Sequence, residues 1–166
     1  MKVNPASGNL DNLLIRPMSM ADYNEVRALW MTISGFGIRA LDDSPEDIRR
    51  FILRNPTTSV VARMDGRVVG SILCGSDGRQ GALYHVCVAR EYRRRGIGTR
   101  MVGYCMQQLR LMGINKVSLI AFTRNDAGNA FWNQIGWTRK TDVNYYEFVL
   151  NQENITHFIG EDNDDQ

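Results

Sequence analysis

The sequence predicts one mixed α/β domain in which helices cover both faces of a mostly antiparallel central sheet of about six or seven strands. Three observations lead to this prediction. The 166 residues can bury one hydrophobic core but are too few for two ordinary domains. Short β-rich runs alternate with amphipathic helical runs in the order βααβββαβαβ. One pair of β-rich runs is separated only by a two-residue turn signal.

The start of the domain is predicted to be a strand followed by a helix. Leu13–Pro17 has the composition of a strand. Ser19 is followed three residues later by Asp22, which is a helix-capping pattern. Gly35 and Gly37 are expected to end this helix. Apolar residues recur before them at helical spacing: Tyr23, Val26, Trp30 and Ile33.

A second helix and a hairpin are predicted next. Ser44 is a helix cap, and Pro45 suits the first turn of the helix. Residues 59–64 and 67–74 are β-rich and are separated by Asp65-Gly66, which favours a type I′ turn.

The second half of the chain alternates strands and helices. Strands are predicted at residues 82–88, 116–123 and 143–150, and helices at residues 98–112 and 127–135. We expect residues 82–88 and 116–123 to be neighbouring strands that open in a V.

The ends of the chain are polar and lack periodicity. Residues 1–12 are predicted to be a flexible extension, residues 13–159 the folded domain, and residues 160–166 a flexible acidic tail. The formal net charge is +2, and four acidic residues lie in the tail, so the rest of the chain carries +6. A modestly basic body suits an anionic ligand without requiring nucleic acid.

Cysteine, histidine and hydrophobic content limit the class of protein. The odd number of widely spaced cysteines, Cys74, Cys87 and Cys105, favours reduced and mostly buried thiols in a cytoplasmic protein. Two histidines, His85 and His157, do not favour a histidine-based metal site, so no metal is expected. No apolar run reaches the ~20 residues of a membrane helix.

A loop between a predicted strand and a predicted helix carries the main functional motif. Arg93-Arg94-Arg95-Gly96-Ile97-Gly98-Thr99 has the pattern Arg-x-x-Gly-x-Gly. The glycines allow close approach of a ligand to the backbone, and the helix start adds unpaired N–H groups and the positive end of its dipole. Arg94, Arg95 and Arg100 could reach further phosphate oxygens. The loop therefore predicts a pyrophosphate site.

This motif resembles the pyrophosphate-binding loop of the GNAT superfamily of N-acetyltransferases. A second segment, Asn125-Asp126-Ala127-Gly128-Asn129-Ala130-Phe131-Trp132-Asn133-Gln134-Ile135-Gly136-Trp137, is similar to the family's Asn-x-x-Ala-x-x-x-Tyr-x-x-x-Gly-Phe segment. The two elements lie in the family's order, and the predicted elements match the family from about residue 13 to 150.

The resemblance implies transfer of an acetyl group from acetyl-CoA to a primary amine by direct attack in a ternary complex. The backbone of Val86, Cys87 and Val88 would pair with the pantetheine arm, and an N–H near Val88 would stabilise the developing oxyanion. Asn125 would bond to the cofactor or to the diverging strand ends. The pyrophosphate would be held by the loop residues Arg93, Arg94, Arg95, Gly96, Ile97, Gly98 and Thr99. The amine could be a small molecule or a peptide, and a homodimer through exposed strand edges is possible.

The sequence departs from the family where proton transfer is concerned. Trp132 stands where many members have a tyrosine that protonates the departing thiolate, and an indole N–H is not acidic enough for this role. Changing Trp132 to tyrosine is expected to leave activity equal or higher, unless Trp132 mainly packs. Residues 82–88 and 116–123 also lack the glutamate that relatives often use as a base.

Several residues are candidates to replace the missing groups. Tyr84 shares the strand parity of Ala82, Val86 and Val88 and is the candidate catalytic residue. It would order a water that takes the amine proton. The competing interpretation is a tyrosine that only packs at the strand edge. His85 and Cys87 are expected on the opposite face as structural residues.

Four residues outside that strand complete the candidates. Tyr145 or Tyr146 could supply the acid, although one core and one surface aromatic is the competing interpretation. Asp42 and Asp43 could attract a cationic amine, or could be solvated loop charges.

Two other classes of function stay open at this point. One is an acyl-CoA-binding sensor that has lost catalysis, suggested by Trp132 and the missing glutamates. The other is a nucleic-acid-binding module with the arginines as phosphate contacts, but the aromatic residues are not interleaved with them for base stacking.

Overall fold

The computed structural model describes residues 9–160, which form four α-helices and seven strands in two sheets. The predicted flexible tail, and the extension before residue 9, lie outside the described residues. The strands are β1 (Leu13–Pro17), β2 (Gly37–Arg39), β3 (Val60–Met64), β4 (Arg67–Ser76), β5 (Gly81–Val88), β6 (Val117–Ser118) and β7 (Thr156–Phe158). The helices are α1 (Tyr23–Trp30), α2 (Pro45–Arg54), α3 (Ile97–Leu111) and α4 (Asp126–Gln134).

The main sheet has five strands in the order β1-β3-β4-β5-β6. The first four strands are antiparallel to one another, and β6 is parallel to β5. The mixed, mostly antiparallel sheet is confirmed, but the predicted count of six or seven strands is too high for this sheet. The predicted neighbours β5 and β6 do pair, but only at Gly81 with Val117 and at Ala82 with Ser118.

The C-terminal part of the chain differs from the prediction. The strand predicted at 116–123 forms a ladder only at Val117–Ser118, and the strand predicted at 143–150 forms none. Instead β2 and β7, which the sequence analysis missed, form a small antiparallel sheet. Both are three residues long, which is too short for an alternating pattern to stand out. Gly37 therefore begins a strand instead of ending a helix.

Two predicted local features in the first half of the chain are confirmed, the turn between β3 and β4 and the cap of α2. Asp65 and Gly66 have φ of 49° and 79°, as a type I′ turn between β3 and β4 requires. The Ser44 hydroxyl accepts a hydrogen bond from the Asp47 N–H at 3.2 Å and so caps α2.

The hydrophobic core lies on both faces of the main sheet. On one face α3 packs against the sheet through Ile97, Met101, Val102, Cys105 and Leu109. On the other face α1 and α2 pack through a separate cluster that includes Val26, Trp30, Ile48 and Cys87. Helices on both faces are therefore confirmed.

A buried carboxylate joins α1 to the sheet. Asp22 has a side chain that is 1% exposed, and it accepts hydrogen bonds from Arg16 at 2.7 and 2.8 Å and from Arg63 at 3.1 Å. It also accepts one from the Ser19 N–H at 2.9 Å, which is half of the predicted capping box. Burial by itself raises the pKa of Asp22, but these hydrogen bonds outweigh it and hold the pKa well below the ordinary range.

The first prediction is that Asp22 makes folding stability depend on pH in acid. A carboxylate with a lowered pKa in the folded state stabilises fully above its unfolded pKa of ~4, and this stability is lost as pH falls below that value. Asp22→Asn should therefore lower the free energy of unfolding by ~1.5–3 kcal/mol at pH 7. The variant should also lose less of this free energy than the wild type when the pH falls from neutral to acid. Urea denaturation at several pH values measures both effects.

Glu25→Gln is the matched control for this prediction. Glu25 also bonds to Arg63, at 2.7 Å, but is half exposed, so its loss should cost less than ~1 kcal/mol. An Asp22→Asn protein that keeps the wild-type loss of stability in acid would contradict the role assigned to Asp22.

Candidate active site

The central feature of the site is a bulge in β5. Tyr84 pairs with Leu73 and Cys87 pairs with Ser71, so β5 has one residue more than β4 over this stretch. His85, within the bulge, has φ of 47°, which non-glycine residues adopt uncommonly. The bulge lies directly before the predicted pantetheine-binding residues.

The bulge changes which residues share a face, and this corrects the predicted parity of Tyr84. Val86 and Val88 pack against the α3 side of the sheet. Tyr84 instead contacts Phe51 of α2 in an edge arrangement with ring centroids 6.1 Å apart. A strict alternation cannot hold across an inserted residue, so Tyr84 and His85 both lie on the α1–α2 side.

His85 forms a buried pair with a loop carboxylate. Its Nε2 lies 2.8 Å from Asp43 Oδ1, and the two side chains are 16% and 5% exposed. The ring of His85 also lies between Trp30 and Phe36, with centroids 4.6 and 5.3 Å away. Because these contacts engage Nε2 and pack the ring against two aromatic residues, they support the structural interpretation of His85.

Asp43 is therefore not a solvated loop charge, as one interpretation of the sequence had it. Its other oxygen accepts a hydrogen bond from the Arg39 N–H at 2.7 Å, and its carbonyl accepts one from the Tyr23 hydroxyl at 2.7 Å. Asp42 is the exposed member of the pair and bonds to Arg39 at 3.1 Å and to Asn154 at 2.9 Å.

Cys87 is a core residue, on the same side of the sheet as His85. Its sulfur lies 3.6 Å from the Ser71 hydroxyl, which also accepts a hydrogen bond from the Trp30 indole at 3.1 Å. Burial raises the pKa of the Cys87 thiol to about 11, so a thiolate nucleophile is not favoured here. Cys74 and Cys105 are free and buried too, as expected.

The loop between β5 and α3 has the geometry that the motif predicts. Arg94 and Gly96 have φ of 61° and 81°, and Gly96 is the residue that caps α3. Two arginines hold the loop through backbone carbonyls: Arg93 Nε donates to Val88 at 2.9 Å, and Arg95 donates to Glu91 at 3.0 Å. The positive φ at Gly96 explains why glycine is needed there.

The first amides of α3 are free to bind an anion. Arg100 N–H donates to the Gly96 carbonyl at 3.1 Å and makes the first bond of the helix. The N–H groups of Ile97, Gly98 and Thr99 have no hydrogen-bond partner within residues 9–160, and no side chain caps the helix. Free amides at the start of a fifteen-residue helix suit phosphate oxygens. The residues present therefore fit a pyrophosphate group.

α4 packs beside this loop. A Cβ on Gly98 would lie 3.3 Å from the Phe131 ring, so Gly98 also allows α4 to approach α3. Asn125 Oδ1 accepts a hydrogen bond from the Gly128 N–H at 3.0 Å and caps α4. The structure therefore gives Asn125 a capping role, which sequence reasoning had not considered.

Trp132 belongs to an aromatic cluster. Its ring centroid lies 4.9 Å from those of both Phe131 and Trp137. The three rings pack, partly buried, against the core on the α3 side. These contacts favour the packing interpretation of Trp132 over that of a vacated acid position.

An open edge of β5 adjoins the loop. The ladder with β6 ends at Ala82 and Ser118, so residues 83–88 have no β6 partner. The end of this ladder agrees with the predicted opening between the two strands, and it leaves Val86 to Val88 without a β6 partner on the side where an extended ligand could pair with them.

A small cavity and a larger cleft lie on the α2 side. The cavity, of about 300 Å³, is lined by Phe51, Asn55, Ala82 and Tyr84 among others. A larger cleft of about 940 Å³ separates the first turns of α2 from residues 145–151. Tyr84 is 51% exposed, and its hydroxyl makes no hydrogen bond within the described part of the chain.

Tyr145 and Tyr146 are both exposed, at 62% and 85%. The expectation of one core and one surface aromatic is therefore wrong, because residues 143–150 do not join a sheet. The Tyr145 hydroxyl donates to Glu147 at 3.2 Å.

Residues 9–160 contain neither a membrane-crossing helix nor a metal-binding cluster. None of their helices is both long and apolar enough to cross a membrane. They also contain no cluster of three or more histidine, cysteine or acidic residues suited to a metal ion.

Solved structures with the same fold include several acetyltransferases. Ard1 from Thermoplasma volcanium superposes with a TM-score of 0.64 at 22% identity, over 75% of this chain and 82% of that one. The aminoglycoside 6′-N-acetyltransferase AAC(6′)-Ih from Acinetobacter baumannii gives 0.65 at 19% identity, over 84% and 99%. PaiA N-acetyltransferase from Thermoplasma acidophilum, solved with coenzyme A, gives 0.63 at 17% identity, over 74% and 87%.

Proteins related in sequence are also named acetyltransferases. An acetyltransferase of Sodalis glossinidius is 32% identical over 129 residues, which are 78% of this chain and 89% of that protein. An acetyltransferase of Yersinia pseudotuberculosis is 28% identical over 140 residues, 84% of this chain and 98% of the relative. The pattern of the acetyltransferase (GNAT) family matches residues 24–137, a span that contains β5, the arginine-glycine loop, α3 and α4. The chain belongs to the GNAT family of acetyltransferases.

Proposed function

We propose that the protein transfers an acetyl group from acetyl-CoA to a primary amine, by direct attack in a ternary complex. The observation that carries this proposal is the set of unpaired amides of Ile97, Gly98 and Thr99 at the start of α3. They follow the open edge of β5 in the chain, after the arginine-glycine loop. One ligand could therefore place its pyrophosphate at these amides and its extended arm along β5.

The chain's own residues would hold acetyl-CoA in two places. Residues Arg93 to Thr99 would bind the pyrophosphate, with the amides of α3 as donors and Arg94 and Arg100 as nearby charges. The backbone of Val86, Cys87 and Val88 would pair with the pantetheine arm along the edge that β6 leaves free. Acetyl-CoA supplies the activated acyl group, and no metal takes part. Asn125 would act indirectly, by fixing the start of α4 beside the loop.

The acceptor is proposed to be a small-molecule or peptide amine that enters from the α2 side. The cleft there is lined by the acidic residues Asp42, Glu46, Asp47 and Glu147 and by two arginines, Arg39 and Arg50. Arg39 and Arg50 pair with Asp42 and Asp47, so Glu46 and Glu147 leave the lining net negative. A negative lining favours a cationic amine, and the solved relatives include aminoglycoside acetyltransferases.

Tyr84 is proposed to order the water that accepts the amine proton. Its hydroxyl is exposed and free of protein hydrogen bonds within residues 9–160, and it lies on the α1–α2 side, where the acceptor would enter. His85 is the less suitable base, because its Nε2 is engaged by Asp43 and its ring is enclosed by Trp30 and Phe36. We therefore assign His85 and Asp43 to positioning the bulge. The reduced, buried cysteines fit a cytoplasmic location.

A catalytically weak acyl-CoA-binding sensor is the second candidate. The fixed aromatic packing of Trp132 favours it, because no proton donor then stands at the position where relatives have tyrosine. A CoA-release screen over small amines and peptides separates the two functions. Tight acetyl-CoA binding without release on any amine would support the sensor.

The second prediction tests the loop. Gly96→Asp should abolish acetyl-CoA binding, because it places a carboxylate beside the pyrophosphate and forces a side chain into a left-handed conformation that costs ~1–2 kcal/mol. Gly66→Asp is the matched control, since Gly66 has nearly the same φ, 79°, in the β3–β4 turn. It should bind acetyl-CoA like the wild type in calorimetric titrations. Unchanged affinity in folded Gly96→Asp would refute the loop assignment.

The third prediction concerns Tyr84. Tyr84→Phe should lower kcat by ~10²-fold, the lower end for proton-transfer groups, and leave acetyl-CoA affinity unchanged. Tyr104→Phe is the control, because its hydroxyl bonds to the Thr57 carbonyl at 3.3 Å away from the proposed acceptor side. Equal activity of the two variants on a confirmed amine would show that Tyr84 only packs.

The fourth prediction concerns Trp132. Because its ring is held by Phe131 and Trp137, Trp132→Tyr and Trp132→Phe should both lower stability by ~1–2 kcal/mol. Their CoA-release rates should be alike and no higher than that of the wild type. Thermal unfolding and CoA release are measured together on both proteins. A Trp132→Tyr enzyme faster than the wild type would restore the vacated-acid interpretation.

A further inference from the structure

A tyrosine and a glutamate on one wall of the proposed acceptor cleft form a hydrogen-bonded pair. The hydroxyl of Tyr145 donates to Glu147 Oε2 at 3.2 Å, and both side chains line the cleft of about 940 Å³ beside α2. A phenol that is bonded to a carboxylate can give its own proton to that carboxylate while its oxygen accepts another proton. The Tyr145–Glu147 pair therefore has the chemistry of a proton relay that opens into the cleft.

Glu147 is available to take a proton, because no basic side chain binds to it. Within residues 9–160 it forms no salt bridge, and its Oε1 accepts no hydrogen bond. The two arginines of the cleft are engaged elsewhere, since they pair with Asp42 and Asp47. Glu46 is also without a basic partner in this part of the chain, but no hydroxyl donates to it. Among the described residues of the cleft, Glu147 is therefore the unpaired carboxylate that is joined to a proton donor.

Tyr145 lies within electrostatic reach of Tyr84. Loss of hydration raises the pKa of Tyr145, and the hydrogen bond to Glu147 and the charge of Glu147 raise it further. Tyr84 adds to this rise in pKa, while Arg39 opposes it. A raised pKa keeps the Tyr145 phenol protonated near neutral pH, as a relay requires. The other charged groups that line the cleft around the pair lie on α2 or directly before it: Asp42, Glu46, Asp47 and Arg50.

The strands beside the proposed reaction offer no free carboxylate. Residues 82–88 and 116–123 contain no acidic residue, and the Nε2 of His85 is engaged by Asp43 at 2.8 Å. A water that Tyr84 orders carries an extra proton once it has taken one from the amine, and it must pass that proton on. The Tyr145–Glu147 pair supplies the carboxylate that these strands lack.

We propose that Tyr145 and Glu147 carry the amine proton away from the acceptor, with Tyr145 as the relay and Glu147 as the final proton acceptor. This inference rests on the proposed function, acetyl transfer to an amine. The ammonium proton passes to the water at Tyr84, and this water gives a proton to the Tyr145 oxygen. Tyr145 at the same time gives its hydroxyl proton to Glu147 Oε2.

The remaining steps balance the reaction. The neutral amine attacks the thioester carbonyl of acetyl-CoA, so that the C–N bond forms and the C–S bond breaks. One of the two protons left on the nitrogen goes to the departing thiolate, which becomes the thiol of CoA. The products are the amide, CoA and protonated Glu147, and Glu147 returns its proton to solvent before the next turnover.

The fifth prediction is that removing either member of the pair slows turnover. Glu147→Gln should lower kcat on a confirmed amine by ~10²-fold, because the amide oxygen still accepts the Tyr145 bond but takes no proton. Tyr145→Phe should lower kcat by a similar factor. The double variant should be no slower than Glu147→Gln, since both residues serve one path. CoA release over a range of amine concentrations separates kcat from KM.

Two variants are the controls. Tyr146 is the adjacent tyrosine, and its hydroxyl makes no hydrogen bond within residues 9–160, so Tyr146→Phe should keep the wild-type kcat. Glu46→Gln removes a charge from the same cleft, so it should raise KM for a cationic amine without the loss of kcat expected of Glu147→Gln. Equal kcat losses in Glu46→Gln and Glu147→Gln would show that only the charge of the cleft matters.

A change of acceptor tests proton removal itself. Fluorination beside the amino group lowers the pKa of an amine, so that more of it is neutral at the assay pH and needs no base before attack. The kcat loss of Glu147→Gln should therefore be much smaller with the fluorinated analogue than with the parent amine. A merely structural role of Glu147 would slow both amines alike.

Titration of Tyr145 tests the pair without acetyl transfer. Ultraviolet absorbance of the phenolate is followed against pH, and the signal of Tyr145 is taken as the difference from Tyr145→Phe. In Glu147→Gln, Tyr145 should titrate at a lower pH than in the wild type, because the neighbouring charge that raises its pKa is gone. An unchanged titration would mean that the pair does not form, and would overturn the inference.

Two outcomes of the activity assay distinguish the relay from the proposed function. If the wild type acetylates an amine and Glu147→Gln does so with undiminished kcat, the relay alone is wrong. If the wild type binds acetyl-CoA but releases CoA with no amine, the proposed function is wrong and the relay fails with it.

Discussion

The early separation of β5 from β6 is the constraint on which the rest of the site depends. The two strands share only two residue pairs, after which β5 continues to Val88 without its neighbour. One side of the separation leaves the backbone of β5 free beside the arginine-glycine loop. On the other side, residues 119–122, which follow β6, have no strand partner within residues 9–160. The proposed cofactor site therefore originates in this separation.

In the loop, two arginine side chains hold the backbone, and backbone amides are left to bind an anion. Arg93 and Arg95 donate to the carbonyls of Val88 and Glu91, so two of the arginines that suggest a phosphate site hold the loop itself. The residues left to meet an anion are the amides of α3, with Arg94 and Arg100 nearby. This explains why the glycines matter as much as the charges. Without a left-handed residue at Gly96, the chain could not turn from the end of β5 into a helix whose first amides face outward.

The sequence predicts local features better than long-range ones, and the reasons are physical. The Asp65-Gly66 turn, the Ser44 cap and the start of α3 depend on a few adjacent residues, so their signals are strong. The bulge at His85 has no such signal, because its position is set by pairing with β4, and the predicted parity of Tyr84 therefore failed.

Residues 143–150 show the opposite problem. Their β-rich pattern is strong, but a strand needs a neighbour, and the sequence of one chain does not show whether that neighbour belongs to the same copy. The His85–Asp43 pair was missed because it joins residues that are far apart in the chain. The Asn125 cap is a local signal, since its partner Gly128 is three residues away, but the sequence analysis considered Asn125 only as a contact to the cofactor or to the diverging strands.

The His85–Asp43 pair links the two sides of the proposed reaction. Asp43 belongs to the connection between α1 and α2, which borders the cleft proposed for the acceptor, and His85 belongs to the bulge that precedes the residues proposed to bind pantetheine. Asp43 also accepts a hydrogen bond from the Arg39 N–H, at the end of β2, and β2 is paired with β7. One buried carboxylate thus joins the bulge, the connection between α1 and α2, and the end of β2. Since Asp43 is 5% exposed and a buried polar partner left unpaired is costly, these three parts are constrained to keep a single relative arrangement.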